Sequence, residues 1–305
     1  MKIEVIYIAC YKYDLRFTRI LVASIRQWYP EIPIVLIKDL FYGDFDTWEI
    51  EKIWNVSRLD TERHCFGWGF SKVEVLCQPE RRRCLVLDSD IIFTGPLLET
   101  LEQCKSDFVV QHEDPAPEFV ASHYFDLPAL QRLDPQFVFP GFTFNTGQIV
   151  ATTGVLSWTD FSAFVAPENP PRVLHPEIFK FGEQGLLNYV LMKKAQIGAC
   201  SLERQKFMET PEDSKTSPAF DIRLEQLGPA SPHRYLIHWC GLKKGRLSDM
   251  ARGDLLLHFE RQYYAAVPGG TWRKWARLAA ERIERSTRSL LRKTFLHRLL
   301  KRAKV

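Results

Sequence analysis

The stretch Arg81-Arg82-Arg83-Cys84-Leu85-Val86-Leu87-Asp88-Ser89-Asp90-Ile91-Ile92-Phe93-Thr94-Gly95-Pro96 holds the residues whose types and spacing bear most directly on chemistry. A short apolar run ends in two carboxylates, resumes, and is closed by Gly95-Pro96, the pattern of a buried strand rather than a helix. Alternation along such a strand puts Asp88 and Asp90 on one side and turns Ser89 away. Two acids at the end of a buried strand repel each other and lose hydration. A divalent cation relieves both, and hard oxygen ligands suit manganese or magnesium. Taken alone, the tripeptide fits a strand-end turn with two solvated acids equally well.

Three later stretches carry further candidates. Phe142 to Val150 alternates like a strand and contains Asn145, a small amide, and Gly147, which permits close approach of a ligand; Asn-Thr-Gly is also an ordinary turn. Glu183-Gln184 opens a helical stretch, where an acid complements the positive end of the dipole or faces a crevice. His238 ends a short strand and is followed at fixed spacing by Gly241 and Lys244, which suits phosphate or metal–phosphate binding.

The elements around these residues imply an α/β fold. Ile3 to Ala9 reads as a strand, Leu15 to Trp28 as an amphipathic helix, and Ile32 to Ile37 as a second strand. A strand–helix–strand unit of this size implies a right-handed crossover and a parallel sheet. Helices are expected at Trp48 to Trp54, Phe70 to Leu76, Leu97 to Cys104 and Leu255 to Ala265, and strands at Phe108 to Val110 and Tyr235 to His238. His112 to Pro140 shows no clean period. Ligands of open parallel sheets sit beyond the carboxyl ends of the strands, so Ala9, Asp88 and Asp90 are expected to share one crevice.

Charge is unevenly spread. The 305-residue chain has a formal charge of +4, but from Thr271 to Val305 there are 12 Lys/Arg against 2 Glu, a charge of +10. The remaining 29 basic and 35 acidic residues sum to −6. In that tail Trp272, Trp275, Ala279, Ile283, Leu290, Leu291, Leu299 and Leu300 form an imperfect apolar stripe among basic residues. The stripe implies an interfacial helix facing anionic lipid, with a terminal helix packed on the body as the alternative. The tail lacks spaced stacking aromatics and the body is acidic, so no nucleic-acid partner is expected. The opening apolar run is short and interrupted by Glu4, which fits neither a signal peptide nor an anchor. Seven scattered cysteines without a Cys-x-x-Cys pair point to a reduced, cytoplasmic setting, peripheral on the inner face of the membrane if the tail binds lipid.

Asp88-Ser89-Asp90, Phe144-Asn145-Thr146-Gly147, Glu183-Gln184 and His238-Trp239-Cys240-Gly241-Leu242-Lys243-Lys244 occur in the order seen in GT-A-fold glycosyltransferases. They resemble most the retaining, glycogenin-like and lipopolysaccharide galactosyl- and glucosyltransferase family. The resemblance runs from residue 1 to about residue 265, and it implies a Rossmann-like GT-A domain over residues 1–268 with a tail over 269–305. It implies a metal-dependent transfer of a hexose from a nucleotide-sugar, a UDP-sugar above all, to a glycan or glycolipid acceptor with retention. Asp88, Asp90 and His238 would then hold manganese (or magnesium), and Gly241 and Lys244 would meet the diphosphate. Ala9, Lys72, Ser89 and Asn145 would lie along the donor, Gln184 and Glu183 at the reacting sugar, and Asp114 against a sugar. Two stretches depart from the family: Ala9-Cys10-Tyr11 stands where relatives carry an acid that reads uracil, and Lys243-Lys244-Gly245 replaces a Lys-Pro-Trp ending. Leu-Asp-x-Asp-x-Ile also resembles the nucleophile strand of haloacid dehalogenase-type phosphatases, although here a whole strand–helix–strand unit precedes it. A non-catalytic nucleotide-sugar-binding module is the remaining reading.

Overall fold

The computed structural model describes residues 1–67, 69–113, 115–211, 218–243 and 246–293. The chain divides into two compact units, Met1–Phe259 and Glu260–Val305. In the first unit β1 (Val5–Tyr11), α1 (Leu15–Trp28), β2 (Ile34–Asp39), α2 (Trp48–Ile53), β3 (Val56–Arg58), α3 (Phe70–Leu76) and β4 (Arg83–Leu87) follow one another. After β4 come β5 (Ile91–Phe93), α4 (Leu98–Leu101), β6 (Phe108–Gln111), α5 (Pro117–His123), α6 (Leu127–Leu133) and β7 (Gln148–Thr152). The unit continues with β8 (Val165–Ala166), β9 (Arg172–Val173), α7 (Glu183–Gln196), β10 (Leu202–Gln205), β11 (Met208–Glu209) and β12 (Leu236–His238). The last helices are α8 (Gly253–Ala266) and α9 (Gly270–Lys293).

A seven-stranded sheet in the order β10-β6-β7-β4-β1-β2-β3 forms the centre. Its neighbours are parallel except for β7, which runs antiparallel to both β4 and β6. This is the mixed, mostly parallel α/β architecture implied by the strand–helix–strand opening. Both faces of β1 are buried, as expected of a central strand flanked by crossover helices. Val5 and Tyr7 join Cys84, Val86, Ile149 and Ala151 in a core with Phe70, Val73, Leu186 and Val190 of α3 and α7. A second sheet, β11-β12-β5, is joined to the first through the turn Asp88–Asp90 between β4 and β5. Ser24 of α1 accepts from the backbone N–H of Phe93 at 3.1 Å, which fixes β5 to α1.

Three sequence expectations are corrected. The stretch 142–150 is a strand only from Gln148 onward. Before that point the backbone N–H and C=O of Phe144 bond to the Asn188 side chain, each at 2.9 Å, so side-chain bonds replace the ladder. The stretch 112–140 holds the short helices α5 and α6, each with proline in its first turn; Asp126 caps α6 by accepting from Ala129 N–H at 2.9 Å. The helix expected from Leu97 to Cys104 is confined to Leu98–Leu101.

In the second unit, Lys274 pairs with Glu260 at 2.9 Å and Arg277 lies 6.0 Å from the Tyr264 ring. Trp272, Trp275 and Ile283 of α9 are exposed. Residues 294–305, including Leu299 and Leu300 of the apolar stripe, lie outside the described residues. Among the described residues no helix is long and apolar enough to cross a membrane.

Candidate metal centre and charge cluster

β4 ends at Leu87, so the acids sit in the turn joining the two sheets rather than within one strand. Asp88 N–H donates to Gly147 O at 2.7 Å, extending the β4–β7 pairing by one step. β12 runs antiparallel to β5 with His238 opposite Ile91, and Trp239 N–H donates to Asp90 O at 3.0 Å. These two pairings bring a turn and a strand end together from distant parts of the sequence. Asp88, Asp90 and His238 each offer a ligand atom, and the three atoms lie within 4.8 Å of one another. His238 Nε2 is 3.3 Å from Asp90 Oδ1 and 4.0 Å from Asp88 Oδ2. Two carboxylates and one imidazole form a ligand set that fits a divalent metal ion.

The space for this cluster is made by glycine. A Cβ on Gly147 would lie 2.3 Å from His238 Cε1 and 2.8 Å from an Asp88 carboxylate oxygen. A Cβ on Gly69, which has φ +74, would lie 2.1 Å from the Glu183 carboxyl group. Asn145 turns back on its own loop: its Oδ1 accepts from Gly147 N–H at 2.7 Å and its Nδ2 donates to Cys240 Sγ at 3.5 Å.

Each aspartate of the triad is joined by a lysine to a second acid. Lys72 Nζ lies 2.9 Å from Asp88 and 2.9 Å from Glu183, and is buried. Thr146 donates to Glu183 at 3.2 Å. Burial alone would lower the Lys72 pKa, but Asp88 and Glu183 hold it above the usual lysine range. Burial pushes the Glu183 carboxyl up, against the pull of Lys72. On the other side Lys243 Nζ lies 3.1 Å from Asp90 Oδ2 and is hydrogen-bonded to Asp14 Oδ2. Ser89 also donates to Asp14, at 3.2 Å, so Ser89 belongs to this network and does not simply face away. Burial would raise the Asp90 pKa, yet His238 and Lys243 hold it below the usual carboxylate range. With all four carboxylates ionised and both lysines protonated, the two brackets carry a net charge of −2, which one divalent cation would balance.

The other residues singled out in the sequence fall as follows. Ala9 lies near the carboxyl end of β1 opposite Ile37, and Gly241 follows His238 in an exposed turn. Gln184 is half-buried and donates to His123 O at 3.0 Å, beside a ring stack of Phe119, His123 and Phe181 with centroid spacings of 4.0 and 5.4 Å. Asp114 and Lys244 lie outside the described residues. Reading the sequence missed Asp14 and Lys243. An acid before a helix reads as an N-cap. The Asp14 side chain makes no cap bond to α1, and its position at the carboxyl edge of β1 was the available signal. Glu113 accepts from Tyr124 OH at 3.0 Å.

No family model matches the chain, and no curated protein matches it. Its structure is similar to that of WbbM, a bifunctional glycosyltransferase in the apo state, with a TM-score of 0.56 and 12% identity over 88% of this chain and 51% of that one. The chain therefore spans about half the length of WbbM. It is similar as well to the galactosyltransferase LgtC solved with donor and acceptor sugar analogues, with a TM-score of 0.53 and 13% identity over 88% of this chain and 99% of that one. What the chain shares with these glycosyltransferases is the fold, a GT-A-like α/β domain.

Proposed function

We propose that the chain is a metal-dependent hexosyltransferase that uses a nucleotide-sugar, a UDP-sugar in the first instance, and a glycan or glycolipid acceptor, with retention. The carrying observation is the convergence of Asp88, Asp90 and His238 at the junction of the two sheets of a GT-A-like fold. Breaking a sugar–phosphate bond leaves an oxocarbenium-like sugar and a diphosphate with added charge. When bound, the ion would act as a Lewis acid on that diphosphate. Lys72 holds Asp88 in place and adds positive charge behind it, which costs no reorganisation as the leaving group develops charge. Glu183 is turned onto Lys72, which favours a supporting role for it over attack on the sugar. The resemblance assigns Gln184 to the reacting sugar, and the exposed Phe119 and Phe181 rings near it are apolar surface of the kind a pyranose C–H face packs against. The resemblance assigns Lys244 and Gly241 to the diphosphate and Asp114 to a sugar.

The test is a thermal-shift panel of nucleotide-sugars with and without Mn²⁺, followed by transfer assays. The expected result is stabilisation by one donor that requires the ion and is lost in Asp90→Ala. Unchanged transfer in excess chelator would sink the metal assignment. Exposed Trp272 and Trp275 on the basic helix α9 support a second part of the proposal, attachment of residues 269–305 to anionic membrane on the cytoplasmic side. Full-length protein is expected to sediment with anionic but not neutral vesicles and to be released by cutting after Gly270. Unfolding on that cut would instead make the tail a structural helix.

A further inference from the structure

The two lysine brackets differ in a way that bears on ion binding. Asp90 faces His238 with one carboxylate oxygen, at 3.3 Å, and Lys243 with the other, at 3.1 Å. An ion on the triad and the Lys243 ammonium would share one carboxylate, and like charges so close repel strongly in a partly dehydrated site. Lys72 has no room to respond: it is enclosed by Asp88, Glu183 and Thr146 and its side chain is 3% exposed. Lys243 has room, with 31% of its side chain exposed, and it follows Gly241, whose φ is +68. It also has a second acid. Asp14 is buried, holds Lys243 already, and is steadied by Ser89, so an ammonium that gives up Asp90 is not left without a partner. The Tyr11 and Phe17 rings lie 5.8 and 5.7 Å from Nζ and favour a cation at that spot.

We propose that Lys243 is an internal cation competing with the divalent ion for Asp90, and that Asp14 is the acid that keeps the ammonium when it yields that oxygen. Ion binding then sets the position of the segment 239–243. The inference rests on the triad being an ion site.

The experiment measures Mn²⁺ affinity of the full chain without nucleotide, by water-proton relaxation, so no turnover is involved. Lys243→Met is expected to bind Mn²⁺ about tenfold more tightly than the wild type. The single variant strands a buried Asp14, so Asp14→Asn/Lys243→Met is measured beside it; this pair keeps the net charge and removes the unpaired acid. Tightening that persists in the double variant supports competition at Asp90. Hydrogen exchange in the peptide covering 239–243 is expected to speed up on adding Mn²⁺ to the wild type and not to the double variant. Unchanged or weaker affinity in both variants overturns the proposal, as does tightening confined to the single variant, which would reflect net charge alone. Folded wild type and variants that all fail to bind Mn²⁺ would remove the ion site and this inference together, an outcome distinct from the other two.

Discussion

The Lys72 and Lys243 brackets carry the same charges and differ in what holds them. Lys72 sits in the first turn of α3, and its acids come from the turn after β4 and the first turn of α7, so two helices help to fix it. Lys243 sits in the segment after β12, and its acids come from the short turn before α1 and the same β4–β5 turn. One bracket is a buried strut and the other an accessible latch beside the same triad. The strut fixes the orientation of Asp88, while the lysine on Asp90 stays within reach of solvent.

The largest test of this contrast is Lys72→Ala. It leaves Asp88 and the buried Glu183 without their cation and is expected to cost about 3–5 kcal/mol in urea unfolding. Adding Glu183→Gln to it should recover a sizeable part of that loss; no recovery would mean that Lys72 acts through packing alone. Gly69→Ala comes next. A Cβ there meets the Glu183 carboxyl group at 2.1 Å and the backbone has φ +74, so a loss of about 2 kcal/mol is expected, read as a lower midpoint at constant slope.

Lys243→Met should cost less, about 1–2 kcal/mol, since Asp14 retains Ser89 and the lysine is partly solvated. If it destabilises as much as Lys72→Ala, the latch is a second strut. The smallest effect sets the surface scale. Burial would raise the Asp134 carboxyl, but hydrogen bonds from Lys193 and Tyr189 hold it below its ordinary value. A depressed carboxylate stabilises the fold above its unfolded pKa and loses that contribution as pH falls through the folded value. Asp134→Asn should therefore narrow the stability difference between neutral and acidic pH by less than about 1 kcal/mol.

Much of this was written locally in the chain. The apolar run before Asp88, the amphipathic stretch Leu15–Trp28 and Phe70–Leu76 each encode their own element through spacing, because burial of one face depends on periodicity alone. The order of motifs located Asp88, Asp90, His238 and Lys72, which the fold brings together. What the sequence could not supply was partnership across the chain. Asp14 and Lys243 are 229 positions apart, and Lys243 and Lys244 are chemically alike as letters. Only the antiparallel pairing of β12 with β5 carries the chain past Asp90 in the register that sets Lys243 on Asp14. Likewise Gly147 and Gly69 read as turn residues locally, and their need for no side chain appears only when His238 and Glu183 are packed against them. The alternation of Phe142 and Phe144 failed as a strand signal for the same reason: Asn188, on a distant helix, takes both backbone bonds of Phe144. Periodicity is a property of neighbours in sequence, whereas the charge balance of this site is set by neighbours in space.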